Sequence, residues 1–454
     1  MHGVNQQARI SAQRIVVIMP NWLGDAVMAT PFLFALRQLY PQSHIAGLAN
    51  SLAMPVLSGL SLLDAAIPYP QKPGHKKPSI AATAALLRHG HFDLAVILPN
   101  SLRSAMAAWR AGIQRRLGYT REYRTPLLTD TLRPIHRCAN DLDLQWAREF
   151  ARRLIKIRTD ALAHKGTGQA QAKKTPPDCV GFEPASGHVH RFNFLMHQDD
   201  GRTFNQQGHF GPLRRSLAQF HNYQPAPVVD YYLQLADYLG STERSRTLRL
   251  GITEAEQAEA QSALAAMRIG SEQPYAMVFP GANFGSSKCW PPERFAEVAV
   301  RISNPAGPIA ARVIIAGAPA EKPLVDAILR NVAEPSGAGV LHRQIVPLAA
   351  VHDGRGVSLG AVKALVQRAA LMLCNDTGPR HFAAAFGVPL VTLFGPTDPR
   401  WAEIFYSGER QLSVSVPCGP CQLKRCPIDH RCMTALGVEQ VWNAVLEQWQ
   451  RTRP

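Results

Sequence analysis

Short, predominantly apolar runs alternating with helix-period segments, in both halves of the chain, restrict this sequence more than any other feature. In the first half the runs are residues 14–20, 44–49 and 94–99, with helix-period segments at 26–40 and 81–89. The second half repeats the grammar, with runs at 275–280, 312–316, 371–374 and 390–394. A strand that is apolar at every position has both faces covered, as in a parallel sheet flanked by crossover helices. Two such units predict an α/β chain of two doubly wound, Rossmann-like domains facing across a cleft. The ligand is then expected at the carboxyl ends of the strands. Pro31, inside the first helical segment, is expected to kink it.

A length of 454 residues also favours two cores. The pattern divides into a first Rossmann-like domain over 1–151, an insertion over 152–227, a helix and linker over 228–246, and a second domain over 247–454. The insertion is basic and rich in Gly, Pro and His, including His164, His188, His190, His197, His209 and His221. Such a tract can bind metal, but a solvated, poorly ordered insertion is the favoured reading.

Composition excludes several classes. With 46% hydrophobic and 18% charged residues the chain is neither disordered nor fibrous. No apolar run reaches the roughly 18 residues that span a bilayer. Residues 15–20 are too short for a signal peptide, so a cytoplasmic location is expected. The formal net charge of +16 favours anionic partners: nucleic acid, an anionic membrane, or phosphorylated substrates. No nucleic-acid-binding module is legible, and juxtamembrane basic groups gain roughly 1 kcal/mol each at an anionic leaflet.

Three segments carry chemistry. In Pro20-Asn-Trp-Leu-Gly-Asp-Ala26, Asp25 either caps the following helix or acts as a general base at the cleft. In the segment 279–295, a strand runs into Gly-rich Pro280-Gly-Ala-Asn-Phe-Gly-Ser-Ser-Lys288, and Trp290-Pro then opens a helix. Small residues let the backbone approach a phosphate, Ser286 and Ser287 can donate, and Lys288 supplies charge. The Walker A order is missing. In the third, Asn375-Asp376-Thr377-Gly378 precedes a small-residue helix starting near His381, and a further strand ends at Gly395-Pro-Thr-Asp398. Thr377 and Gly378 suit a diphosphate at a helix start, and Asp376 suits sugar hydroxyls, although capping alone explains Asp or Thr there.

Taken together, the order and wording of these segments resemble the heptosyltransferases that build the inner core of lipopolysaccharide. Pro99-Asn-Ser-Leu-Arg-Ser-Ala105 and Gly118-Tyr-Thr-Arg121 resemble its heptosyltransferase II branch. The resemblance covers most of the chain outside the insertion. It implies the GT-B fold, an acceptor-binding first domain, a nucleotide-sugar-binding second domain, and inverting transfer of heptose from ADP-L-glycero-D-manno-heptose. The acceptor would be the heptose/Kdo inner core on lipid A, at the cytoplasmic face of the inner membrane. By the resemblance Asp25 is the catalytic base. Ser286, Ser287, Lys288, Glu321, Asp376, Thr377, Gly378 and His381 bind the donor, and Asn100, Ser101, Arg103 and Arg121 bind the acceptor. Cys289 departs from the family, standing where many relatives have Arg. No cofactor is implied for catalysis.

Cys418, Cys421, Cys426 and Cys432 crowd one polar, proline-punctuated loop near His430. Four thiols at short spacing can hold structural Zn²⁺ or an iron–sulfur cluster, though the spacing is not that of paired CxxC motifs. Disulfides or packing thiols are the other readings. Three functional alternatives stay open: a same-family transferase with another donor or acceptor, a nucleotide-sugar epimerase or hydrolase, and a basic membrane- or nucleic-acid-binding protein.

Overall fold

The computed structural model describes residues 10–70, 79–134, 225–333, 344–351, 354 and 356–451, and among them each half of the chain is organised on its own sheet. The first contains β1 (Arg14–Ile18), β2 (His44–Ala49), β3 (Ala65–Pro68), β4 (Leu94–Ile97), β5 (Arg115–Tyr119) and β6 (Asp130–Leu132). The second contains β7 (Tyr275–Phe279), β8 (Arg312–Ile315), β9 (Ile345–Pro347), β10 (Leu371–Asn375), β11 (Leu390–Phe394) and β12 (Glu409–Ser413). Strand orders are β3-β2-β1-β4-β5-β6 and β12-β11-β10-β7-β8-β9. Every pairing within them is parallel. Counted from its own first strand, each sheet has the Rossmann order 3-2-1-4-5-6.

Strands β4, β7, β8, β10 and β11 are buried at every residue, which accounts for their predominantly apolar composition. The segment at 26–40 is not one kinked helix. It splits into α1 (Leu23–Met28) and α2 (Thr30–Leu39), with Pro31 in the first turn of α2. A proline there loses no helical hydrogen bond, so a break costs less than a kink. The first domain continues with α3 (Met54–Leu57), α4 (Ile80–His89) and α5 (Leu102–Arg110). The boundary at 151 and residues 152–224 of the expected insertion lie outside the described residues.

Helix α6 (Val228–Tyr238) packs back onto α2, with the Tyr231 ring stacked on Tyr119 at 3.8 Å between centroids. The second domain adds α7 (Glu254–Ala266), α8 (Pro292–Ser303), α9 (Lys322–Ala333), α10 (Leu359–Arg368), α11 (Arg380–Phe386), α12 (Arg431–Thr434) and α13 (Val438–Gln450). A Thr253–Glu256 capping box opens α7.

The two halves touch closely. Lys363 of α10 is fully buried, and its ammonium donates to Pro55 O at 2.6 Å and Ser58 O at 3.1 Å in the first domain. It also pairs with Glu256 at 3.0 Å, while the Ser58 hydroxyl donates to the same carboxylate at 2.6 Å. Beside it, a Cβ on Gly251 would lie 1.8 Å from Gly59 O, so only glycine fits where the extended segment before α7 passes the end of α3.

Candidate active site

In a doubly wound sheet the ligand crevice opens where the strand order reverses, here between β1 and β4 and between β7 and β10. The loops leaving these four strands line one cavity of about 820 Å³, a size that accommodates a nucleotide-sized ligand. Asp25 follows β1, Asn100 follows β4, Lys288 follows β7 and Asp376 follows β10; all four line the cavity, as do Arg121, Glu321, Thr377, Gly378 and His381.

Asp25 lies in the first turn of α1, whose N-cap is Trp22 with no side-chain cap bond. The capping explanation for this aspartate is therefore not what the local geometry shows. Burial pushes the Asp25 carboxyl up to about 7, with the Lys288 charge opposing and the Asp376 charge adding to the rise. The close approach of α1 to α11 explains Gly24. A Cβ there would lie 2.7 Å from the His381 ring.

Opposite stands a buried ion pair. The Lys288 ammonium donates to Asp376 Oδ2 at 2.5 Å, and the Thr397 hydroxyl donates to the same oxygen at 2.9 Å. Burial alone would raise the Asp376 carboxyl, but the Lys288 and Arg380 charges and these hydrogen bonds outweigh it, bringing it to about 2. His381 is lowered to about 4 by burial and by the Arg380 charge, so its imidazole is neutral near pH 7. With Nδ1 3.1 Å from Gly378 O, the neutral ring places its proton on Nδ1 and leaves Nε2 as an acceptor. The helix after Gly378, α11, has only seven residues.

Glu321 sits on a short helical turn after β8, where its carboxylate accepts the Ala318 N–H at 2.8 Å. Gly281 faces it: a Cβ at that position would lie 2.1 Å from the carboxylate. Ser286 and Ser287 are not on the cavity wall. The Ser287 hydroxyl donates to Leu423 O at 2.5 Å and its N–H to Lys424 O at 3.1 Å, so this serine anchors the Lys288 turn from behind.

The anchor is the cysteine loop. His430 Nε2 lies 2.6 Å from Ser287 O, and Gln422 N–H donates to Pro396 O at 2.8 Å. The expected metal set at Cys418, Cys421, Cys426 and Cys432 is corrected here. Among the described residues no group of three or more His, Cys, Asp or Glu is arranged to hold a metal ion. The physical reason is burial, which favours the neutral thiols over the thiolates that a metal takes up. Cys432 packs into the apolar core of the second domain beside Met433, Cys426 Sγ accepts the His430 N–H at 3.2 Å, and burial pushes Cys432 up to about 12 and Cys421 to about 11. All four are free cysteines.

On the first-domain side, Asn100 is held by groups that the sequence did not single out. The Asn100 side-chain oxygen accepts from Tyr231 Oη at 3.0 Å and from Arg124 Nη2 at 3.2 Å. The fully buried Arg124 also donates to Tyr119 O at 2.9 Å and to Pro99 O. Ser101 is buried at the N-cap of α5, and neither it nor Arg103 lines the cavity. A second unanticipated feature is Arg380. Its guanidinium forms a bidentate pair with Glu409 at 2.5 and 2.6 Å, and both side chains are almost fully buried. The pair ties the Asp376-to-His381 segment to β12.

Two facing Rossmann-like domains with the ligand cavity between their switch points are the GT-B architecture of nucleotide-sugar glycosyltransferases. The family model of glycosyltransferase family 9 (heptosyltransferase) matches residues 213–431. Lipopolysaccharide heptosyltransferase 2 of Escherichia coli is 26% identical over 389 residues, covering 85% of this chain and 84% of that protein. The Haemophilus ducreyi lipooligosaccharide heptosyltransferase 2 is 25% identical, covering 86% and 85%. Among solved structures, the E. coli ADP-heptose lipopolysaccharide heptosyltransferase II superposes with a TM-score of 0.60 at 21% identity, over 97% of this chain and all of that one. A family 9 glycosyltransferase from Veillonella parvula gives 0.65 at 19% identity, covering 97% of each chain. The chain is thus similar to the heptosyltransferases of glycosyltransferase family 9, over 213–431 by the family model and over most of its length by these relatives.

Proposed function

We propose that this enzyme moves heptose from ADP-L-glycero-D-manno-heptose to the heptose/Kdo inner core of lipid A-linked lipopolysaccharide, with inversion at the anomeric carbon. The observation that carries this reading is the meeting, in one cavity, of a carboxyl raised to about 7 and a buried Lys288–Asp376 pair from the opposite domain. Asp25 accepts the proton of the attacking acceptor hydroxyl, and a base of that pKa is half-ionised near neutrality. As the bond to ADP breaks, the departing diphosphate meets the Lys288 charge beside the Thr377–Gly378 turn. Asp376 and His381 Nε2 take donor-sugar hydroxyls, and Glu321 takes the ribose. Asn100 and Arg121 face the acceptor from the first domain, with Ser101 and Arg103 supporting that end of α5. No step requires a metal.

The lipid-linked acceptor and the net charge of +16 support work at the cytoplasmic face of the inner membrane. No helix among the described residues is long and apolar enough to cross a membrane.

Calorimetry with ADP-heptose, ADP, UDP and UDP-N-acetylglucosamine tests the donor. Adenine nucleotides should bind preferentially, and Lys288→Ala should weaken ADP binding by about 10- to 100-fold, the loss of one charge-assisted contact. Preference for uridine nucleotides would remove ADP-heptose as donor, and ADP release without a glycoside product would point to hydrolysis.

Gly281→Ala tests the ribose contact separately. The added Cβ displaces the far end of a flexible Glu321 side chain, so the fold tolerates it while the carboxylate leaves its place. ADP affinity is expected to fall about ten-fold with little change in melting temperature. Unchanged affinity would remove Glu321 from the donor site.

A further inference from the structure

Helix α5 is built inside out. Its buried face is formed by Ala105, Ala107 and Ala108, whereas Leu102 and Trp109 are 38% and 50% exposed. Leu102, Met106 and Trp109 follow the i, i+4, i+7 spacing of a single helical stripe. A surface helix ordinarily buries its large apolar side chains and leaves small or polar ones outside. Here Leu102 and Trp109 are outside with Met106 half-buried between them, and arginine lines one edge of the stripe. Arg103 and Arg110, one heptad apart, line one edge of the stripe, and Arg88 of α4 reaches the carboxyl end of α5 by donating to Arg110 O at 2.8 Å.

The surrounding chain has the same bias. Residues 79–134 contain eight arginines, no lysine and three carboxylates. Two of those carboxylates are engaged within the fold: Asp130 pairs with Arg115 at 2.5 Å, and Asp93 accepts the backbone N–H groups of Gln13 and Arg14. Helix α5 also begins immediately after Asn100 on the cavity wall. An apolar stripe holding a tryptophan, edged by arginine and starting at the mouth of the site, is the combination that partitions into a headgroup region.

We propose that the outer face of α5, with Leu102, Met106 and Trp109 beside an edge of arginines, is the surface by which this protein docks onto an anionic lipid bilayer. The proposal rests on the lipid-linked acceptor of the reaction above and names the surface that would meet it. Docking there brings the acceptor end of the cavity to the headgroups that hold the acceptor. Electrostatic attraction to anionic lipid and burial of the apolar stripe act together. A nucleic acid would use the arginines and give the stripe no role.

The test uses the full chain, sedimented with vesicles of phosphatidylcholine alone and of equal parts phosphatidylcholine and phosphatidylglycerol. Binding is expected only to the anionic vesicles. Trp109→Ser should weaken it about ten-fold through lost apolar burial, and Arg110→Glu about five-fold or more through lost attraction. Phe405→Ser, which removes a comparably exposed ring on the second domain (47% exposed), should leave binding unchanged. Heptose transfer to a soluble, lipid-free core oligosaccharide should be the same in Trp109→Ser as in the parent.

No binding to anionic vesicles, or Trp109→Ser and Arg110→Glu proteins that bind like the parent, would overturn the proposal. So would a Trp109→Ser protein that changes from dimer to monomer in sedimentation velocity, which would assign the stripe to a second copy of the chain. Vesicle binding sensitive to both substitutions, in a protein that transfers no heptose, would uphold the docking face while removing the reaction.

Discussion

Asp25→Asn protein is expected to transfer heptose about 10²- to 10⁴-fold more slowly than the parent, the range for loss of a general base. It should also melt no earlier at pH 8. The sign follows from the raised carboxyl. A group held at about 7 in the folded protein, against about 3.9 when unfolded, favours folding in its protonated form. That contribution is lost as pH rises through 7, and a neutral isostere escapes the loss. For the same reason the parent's kcat/KM should fall on the acid side of about pH 7, where Asp25 is protonated and cannot accept the acceptor's proton. A stopped assay across pH 5 to 9, with thermal unfolding of both proteins, reads all three expectations. Near-normal turnover by Asp25→Asn would end the base assignment.

The largest stability effect is expected at Arg380. Replacing it by Met strands Glu409 in the core with only the Thr392 hydroxyl and the Gln411 amide as polar partners. Breaking a buried pair from one side costs about 3–5 kcal/mol. Glu409 shows the opposite linkage to Asp25. Burial alone would raise it, but the Arg380 charge and hydrogen bonds outweigh that and hold it below its ordinary value. Its stabilisation is present above the unfolded carboxylate pKa and is lost as pH falls through the lower folded value. The gap in unfolding free energy between parent and Arg380→Met should therefore be full at neutral pH and narrow toward acid. Denaturant melts at pH 7 and pH 4 measure it. The double substitution Arg380→Met, Glu409→Leu should recover part of the loss, because no lone charge remains buried. A single variant as stable as the parent would show that the pair contributes nothing.

Much of the architecture was legible because parallel sheets write themselves plainly. Strands such as Leu94–Ile97 and Tyr275–Phe279 are apolar at every position, and the loops after β1, β7 and β10 carry glycine beside polar residues. Asp25, Lys288 and Asp376 could be read for that reason. What escaped were residues whose importance is set by partners distant in sequence. Arg124 is one arginine among many until it is seen buried against Asn100, 24 positions away. Arg380 and Glu409 lie 29 positions apart, on a helix start and an edge strand, and no local pattern couples them. Ser287 illustrates the converse. Its hydroxyl in a glycine-rich loop reads as a phosphate donor, yet Leu423 claims it from a loop 136 residues later. The cysteines likewise suggested a shared ligand by spacing alone, and spacing does not say how strongly burial holds each thiol protonated.

The buried ammonium of Lys363 gives the cleft a dependence on solvent as well as on ligand. In this arrangement the carbonyls of Pro55 and Ser58 stand in for the hydration shell of a cation that belongs to the other domain. Moving the domains apart hands that cation and those carbonyls back to water, so opening is an act of hydration. Water activity then behaves as a ligand of the open form, and solutes excluded from protein surfaces, such as sucrose, weigh toward the closed one. An enzyme whose product must leave through such a cleft is tuned by the osmotic state of its surroundings, through a lysine that never touches the substrate.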